Sequence, residues 1–398
     1  MKKTVSLRTL IAIVAFFTAS AVCITTMLFA FVIIPKREGE LYVYNSKMLE
    51  INALVDKYYM GELDDSYMND CVSYGYLMGL DDRYAAYIPS EEAEESMNSS
   101  FLGYNMGIGV IITQHPDTGN AYIYEVDSDG PADKAGILPG DEITAVDGYT
   151  VAEKGYAEVI NYIKTQPQGQ KLSVSVLRNG ESLSFEFELS QYSAQSVYYR
   201  MIDGKGYVYI NTFNDKTVEQ FKTAVDDLTA QGAEGLIFDL RGNGGGTLTS
   251  VYHIVDYLVP QGEIIRVDYK EDSLDEVYNS DAHEVDIPMV VLTDKNTASA
   301  SELFTQSLID CGKAVTVGQN TYGKGVVQRT FTLSDGSLVR FTVAKYYTAS
   351  GTCVDGVGIA PDIPTEWTED ELRYRIVNGI EADKDFIAAC QYLDGQLS

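Results

Sequence analysis

The stretch Gly235-Leu236-Ile237-Phe238-Asp239-Leu240-Arg241-Gly242-Asn243-Gly244-Gly245-Gly246 decides the fold of this chain. Its first half is an apolar run of strand length, and its second half is a glycine-rich turn. The neighbouring segments agree. Gly206–Asn211 reads as a strand upstream, and Pro288–Thr293 as another downstream. Thr217, with Gln220 as its capping-box partner, opens a helix whose buried stripe is Val218, Phe221, Val225 and Leu228. Strand and helix alternating from about Tyr198 predict α/β layers. The glycine turn offers unobstructed backbone amides. A phosphate loop would need a following G-K-[ST], which is lacking, so the turn fits an oxyanion hole better.

Past the strand Pro288–Thr293 comes Asn296-Thr297-Ala298-Ser299-Ala300-Ser301-Glu302, which opens a helix running to Cys311. A serine at a strand-to-helix turn sits where helix N–H groups favour nearby negative charge, which suits a nucleophile. Ser299-Ala300-Ser301-Glu302 is equally a capping box, S-x-x-E, and on this motif alone the cap is the simpler reading. A serine nucleophile needs a base. Thr321-Tyr322-Gly323-Lys324-Gly325-Val326-Val327-Gln328 supplies a lysine between glycines that admit close backbone approach, beside valines that make a dry wall. Burial would lower the lysine's pKa from ~10.4, and Gln328 could hold its amine. A surface turn lysine is the plainer alternative. The three histidines offer less. His115 sits in a turn, His253 reads as packed in a helical run, and His283 lies in an acidic loop. None has zinc spacing, and none looks placed for a Ser-His-Asp triad.

The chain has 398 residues, 45% of them hydrophobic, which is enough for two or three units with real cores. Its 58 acidic side chains against 29 basic ones give a formal charge of −29. Nucleic acid is excluded as a main partner, because binding it requires a basic footprint. The acidity is uneven. Lys2, Lys3, Arg8, Lys36 and Arg37 meet no acid through residue 37, so the remainder is five charges more negative than the whole. Thr9 to Pro35 carries no charge and is long enough to span ~30 Å of hydrocarbon. The expectation is a single N-terminal membrane span with its N-terminus cytoplasmic and the acidic body exported. If the segment is instead a signal peptide cut near the weak Ala19-Ser20-Ala21 site, the body is secreted. Cys71, Cys311, Cys353 and Cys390 lack metal or redox spacing, and their pairing is left open.

Between the anchor and the α/β region, residues 40–98 read as helical. Met48, Ile51, Leu54, Val55 and Tyr58 recur at helical spacing, and Pro89-Ser90-Glu91-Glu92 opens a short acidic helix. From Ser99 the texture turns to short strands, with a hairpin signal at Asn179-Gly180. Within it, Phe101-Leu102-Gly103-Tyr104-Asn105-Met106-Gly107-Ile108-Gly109-Val110 precedes Gly130-Pro131-Ala132 and Leu138-Pro139-Gly140-Asp141. Successive loop amides there can hold a peptide's terminal carboxylate while the adjoining strand adds the peptide as a further strand.

Together these pieces resemble the C-terminal processing peptidases, or tail-specific proteases, over roughly residues 45–395. The resemblance implies an α/β chain with a ClpP/crotonase-like peptidase core at 193–365 and an inserted β-rich PDZ domain at 99–192. Around them the residues themselves read as a stub and transmembrane anchor at 1–37, a helical region at 38–98 and a C-terminal helical appendage at 366–398. The resemblance further implies a Ser-Lys dyad. Ser299 would attack the scissile carbonyl, Lys324 would be the general base, and Gln328 would orient Lys324. Amides of Ala300 and of Gly244, Gly245 and Gly246 would form the oxyanion hole. Gly107, Ile108, Gly109 and Val110 would bind a peptide carboxylate, and Gly356–Ile363 matches the family's closing motif. No metal or organic cofactor is implied. Partners are protein or peptide substrates with accessible C-termini, and a homodimer is left open. Two departures stand out. The family's Asn-Pro-Gly-Gly is here Asn243-Gly244-Gly245-Gly246. Its Leu-Asp-Pro-Tyr-Ser is here Leu80-Asp81-Asp82-Arg83-Tyr84-Ala85, which bears on docking or assembly rather than chemistry. The rival reading is a catalytically silent PDZ scaffold that binds protein C-termini; within the enzyme reading, Ser301 is the alternative nucleophile.

Overall fold

The computed structural model describes residues 35–98 and 103–397. The apolar run from Thr9 to Ile34, and Phe101 and Leu102 of the proposed loop, lie outside the described residues. Two units divide after Asn69. The first holds α1 (Pro35–Tyr58) and the start of α2 (Asp65–Met78). The apolar stripe read on α1 is present, with Met48, Ile51, Leu54 and Tyr58 exposed. Among the described residues, no helix is long and apolar enough to cross a membrane.

The second unit begins within α2. The helical reading of residues 40–98 needs a correction here. Ala86–Ile88 is a strand, β1, paired antiparallel with a partner near residue 339. The acidic helix then follows as α3 (Ser90–Met97).

Residues 104–193 form the β-rich module. Its strands are β2 (Tyr104–Gly107), β3 (Val110–Gln114), β4 (Ala121–Val126), β5 (Glu142–Val146), β6 (Tyr149–Thr150), β7 (Lys171–Arg178), β8 (Glu181–Glu188) and β9 (Ser190–Ser193). The Asn179-Gly180 hairpin joins β7 to β8 as expected. The main sheet runs β3-β4-β5-β7-β8, so β3 is an edge strand with one side unpaired. Helices α4 (Pro131–Ala135), α5 (Val151–Lys154) and α6 (Tyr156–Lys164) close its core around Ile123, Ile143, Leu172 and Val174.

The remainder is a layered α/β core. Strands β10 (Val197–Ile202), β11 (Lys205–Ile210), β12 (Gly235–Asp239), β15 (Met289–Thr293), β16 (Ala314–Gly318) and β19 (Ile363–Pro364) form one sheet in that order, parallel from β11 onward. The apolar run of β12 has the two-sided burial that a parallel sheet requires. Leu236 and Phe238 face the cluster covered by α7 (Thr217–Ala230), α8 (Leu248–Leu258) and α9 (Ala300–Asp310), while Ile237 faces the opposite layer. That layer includes α11 (Lys384–Leu397), which follows the short α10 (Glu369–Tyr374). Phe386, Ala389 and Leu393 are buried against Ile237, Val290 and Leu292. The C-terminal helix is therefore an integral cover of the sheet and not an appendage. A second, antiparallel sheet joins β1, β13 (Gly262–Tyr269), β14 (Glu276–Ser280), β17 (Val326–Thr332) and β18 (Leu338–Thr348).

Two further local expectations change. Gln220 does not complete a capping box, because its Oε1 accepts the backbone N–H groups of Ser196 and Val197 instead. His253 is exposed on α8 rather than packed. The four described cysteines are free thiols.

Candidate active site

Ser299 stands at the N-terminus of α9, where the chain leaves β15 and turns into the helix. Its φ of 58° and ψ of −118° are unusual for a side-chain-bearing residue and cost on the order of 1–3 kcal/mol. Such a turn persists only when its surroundings over-determine it. Thr297, fully buried, donates its hydroxyl to Leu240 O at 2.9 Å, and the Ala298 N–H donates to Asn243 O at 3.0 Å. The glycine turn after β12 is thus tied to the serine turn after β15.

Gly245 shows how close the two turns are. A Cβ there would lie 2.8 Å from Ala298 O and 2.9 Å from Ser299 Cβ. Its own N–H donates to Asn243 Oδ1 at 2.8 Å. Gly245 therefore admits close approach, and its amide is already engaged. Gly244, Gly246 and Ala300 line the cleft beside Ser299, while Gly245 is absent from that lining.

Glu302 joins the serine turn to the lysine loop. Its side chain is fully buried and accepts four hydrogen bonds. Oε2 takes the N–H of Ser299 at 2.9 Å and of Lys324 at 2.7 Å. Oε1 takes the Thr321 hydroxyl at 2.5 Å and the Gly323 N–H at 2.7 Å. The capping-box pattern at Ser299 is present, and the same carboxyl also fixes the backbone on which Lys324 stands. Tyr346 repeats the tie, with its hydroxyl 3.0 Å from Ser299 O and 2.5 Å from Lys324 O. Gly325 needs its missing side chain as well, since a Cβ would meet Asp355 N at 2.5 Å.

The cleft these elements enclose has a volume of about 560 Å³. Ser299, Lys324 and Gln328 all line it, as do Val326, Val327, Leu248, Leu303 and Arg340. Burial lowers the Lys324 pKa, and the nearby Arg340 and Arg83 cations lower it further; Asp82 and Glu302 pull the other way without reversing the direction. The acidity of the chain as a whole therefore does not decide this site. Gln328 donates its Nε2 to Thr342 Oγ1 at 3.2 Å. Among the described residues no hydrogen bond joins Lys324 Nζ to Ser299 Oγ or to Gln328. Instead Lys324 Nζ lies 4.5 Å from the centre of the Tyr84 ring.

Ser301 is excluded as the nucleophile. It is fully buried and donates its hydroxyl to Asn243 O at 3.0 Å. No histidine lines the cleft. Two contributors escaped the sequence reading. Glu302 was legible only as a local cap. The Leu80–Ala85 segment, assigned to docking, brings Tyr84 to Lys324 and fixes Asp82 Oδ2 on the Thr342 N–H at 2.7 Å.

In the β-rich module, Gly107–Val110 forms the bend between β2 and the free-edged β3. Ile108 is buried, its carbonyl accepting the Ala132 N–H at 2.8 Å, and Gly109 O accepts the Asp127 N–H at 3.0 Å. The buried Asp127 receives the Tyr198 hydroxyl from β10, so the loop that supports this bend is bonded to the core.

Residues 204–365 match the model of peptidase family S41, and residues 105–189 match that of the PDZ domain. The chain is 31% identical over 334 residues to the carboxy-terminal processing protease CtpA of Bacillus subtilis, covering 82% of this chain and 69% of that protein. The chain belongs to peptidase family S41. The same organism's carboxy-terminal processing protease CtpB is 30% identical over 320 residues, covering 78% of this chain and 65% of its own length. A structure from Bacteroides fragilis described as an S41 protease shares the fold, with a TM-score of 0.59 at 19% identity over 81% of this chain and 90% of that one. The S41 core and its PDZ domain thus account for the mixed α/β architecture, and the family is one of serine peptidases.

Proposed function

We propose that this chain is a membrane-anchored, exported endopeptidase that captures substrate C-termini in its PDZ domain and cleaves peptide bonds through a Ser299–Lys324 dyad. The observation that carries the reading is the convergence of Ser299, Lys324 and Gln328 on one cleft, with Glu302 fixing the first two backbones. Lys324, its pKa lowered by its dry surroundings, takes the Ser299 proton through its neutral form as the hydroxyl attacks the scissile carbonyl. The resulting oxyanion is met by amides of Ala300 and of the Gly244–Gly246 turn, of which Gly245 is already committed to Asn243. Lys324 then returns the proton to the leaving amine, and water releases the acyl group from Ser299. The Gln328 carbonyl orients Lys324 once the amine swings from Tyr84 toward Ser299. A substrate tail pairs with the free edge of β3, its carboxylate at the Gly107–Val110 bend. The charge-free Thr9–Pro35 run supports the anchor; bases flank both its ends, so the orientation with the acidic body outside the cytoplasm rests on the short eight-residue segment before it.

The test is cleavage of casein by the purified full chain. Ser299→Ala and Lys324→Ala each lower the rate by about 10⁴-fold or more. Full activity in either overturns the dyad. Tail-peptide binding without turnover in the unmodified chain would favour the scaffold reading.

A further inference from the structure

Lys324 has an aromatic neighbour that the dyad chemistry does not use. The Tyr84 ring centre is 4.5 Å from Nζ. On that ring lies the Arg83 guanidinium, 4.8 Å from its centre, and Arg83 also covers the Tyr322 ring at 5.0 Å. The segment is held rigidly. Asp82 Oδ1 accepts the Tyr84 N–H at 2.9 Å and Asp82 Oδ2 accepts the Thr342 N–H at 2.7 Å, after which β1 pairs with β18. Thr342 Oγ1 in turn accepts the Gln328 amide, so the segment and Gln328 share one support.

We propose that Tyr84, backed by Arg83, is a positioning residue for Lys324. Its ring covers the amine, holds water away from it, and so keeps the base ready to accept a proton. The inference rests on the dyad reading above. Two effects of the ring oppose each other. An aromatic face attracts an ammonium and favours the charged form. The same face replaces water, which solvates an ammonium better than any ring, and so disfavours the charged form. Burial of the site as a whole is the leading influence on Lys324 and lowers its pKa, and the Tyr84 ring, 4.5 Å from Nζ, is part of the wall that buries it. Tyr84 is not a counter-ion, because burial pushes its hydroxyl above the ordinary tyrosine value and it stays neutral. The charged groups acting on Lys324 are Arg340 from β18, Glu302 from α9, and Asp82 and Arg83 from the segment itself; Asp355 lies nearby and accepts the Gly325 N–H.

The experiment is the pH dependence of Ser299 labelling by a fluorophosphonate probe, read by peptide mapping on the full chain. Tyr84→Phe keeps the ring and leaves the midpoint of the acid limb in place. Tyr84→Leu admits water and moves that midpoint to higher pH by about one unit, a tenfold loss of labelling on the acid side of the parent midpoint that is recovered in alkali. Arg83→Gln keeps the ring but removes a cation, giving a smaller upward shift of about twofold in rate. An unmoved midpoint in Tyr84→Leu, or one moved to lower pH, overturns the proposal. If Tyr84→Leu does not fold, an unmoved midpoint in Arg83→Gln overturns it instead. Lys324→Ala separates the two readings. Undiminished labelling there sinks the dyad itself, whereas lost labelling with unmoved Tyr84 and Arg83 profiles sinks only the positioning role.

Discussion

Two charged side chains are buried beyond the carboxyl ends of the same parallel strands, and they are satisfied in opposite ways. Arg241, which follows β12, is met by countercharges. Its guanidinium bonds both oxygens of Asp239 at 2.9 and 2.6 Å, both oxygens of Asp383 at 2.9 and 2.8 Å, and Asp385 at 2.7 Å. Glu302, in the first turn of α9, is met by neutral donors from residues 299 to 324, in a helix N-terminus that favours negative charge. Of the Arg241 partners, Asp383 and Asp385 lie far along the chain and fasten the start of α11 beneath the sheet. The Glu302 partners are the turns that carry Ser299 and Lys324. One buried charge therefore holds the fold together, and the other holds the cleft.

The largest effect is expected at Glu302. Glu302→Ala strands four donors, at about 1–3 kcal/mol for each that water cannot reach. Glu302→Gln is the sharper probe, because it keeps the shape but turns an amide NH₂ toward two backbone N–H groups. Casein cleavage by the Gln variant should fall at least 10²-fold, with far-ultraviolet circular dichroism unchanged. Activity within a few-fold of the parent would show that Glu302 is only a cap.

Arg241→Met comes next, and its effect should be on stability. Removing one partner of a buried ion network costs about 3–5 kcal/mol, since the carboxylates left behind are unpaired. Trp367 is the chain's single tryptophan, and its indole N–H donates to Asp385 Oδ1 at 3.0 Å. Its emission should shift in this variant and stay fixed in Glu302→Gln, with denaturant unfolding giving the stability change.

A milder form of the same break is acid. Burial pushes the Asp239 carboxyl up, but the Arg241 guanidinium outweighs this and holds it below the ordinary range. The stability it contributes is present above pH ~3.9 and is lost as pH falls through its lower folded-state value. Acid titration followed by Trp367 emission should show α11 loosening only below about pH 4. A transition nearer neutrality would contradict this.

The legibility of the two regions differed for the same reason. Ser299, Lys324 and Gln328 could be nominated from the sequence, and the structure sets all three on one cleft, because their turns carry local glycine and capping signals. Glu302 was readable only as the end of S-x-x-E, because three of its four donors belong to a loop that no local pattern connects to it. Tyr84 was missed because the face of a ring acquires a role only from what the fold sets against it. The strand Ala86–Ile88 depends on a partner near residue 339 and has too few residues to signal itself. The burial of α11 left a trace in Phe386, Ala389 and Leu393, apolar at helical spacing. Gln220 failed as a cap because tertiary partners outbid the local one.

Lys324 completes the comparison as a third case, a half-buried amine with no ion pair among the described residues, and here the smallest effect is expected. Burial lowers its pKa, so below that value the folded protein carries an ammonium where the unfolded chain would hydrate it better. The folded state binds fewer protons than the unfolded one between the lowered value and ~10.4, so stability rises with pH across that window. The penalty is fully present below the lowered value and fades as pH rises from there to ~10.4. Lys324→Met should then raise the melting temperature by about 1–4 °C while abolishing cleavage. The gain should shrink as pH is raised toward 10, because the unmodified lysine sheds its proton there. A Met variant less stable than the parent would mean that the Tyr84 ring more than offsets the lost water, and Lys324 would then belong with Arg241 among the charges that hold the fold.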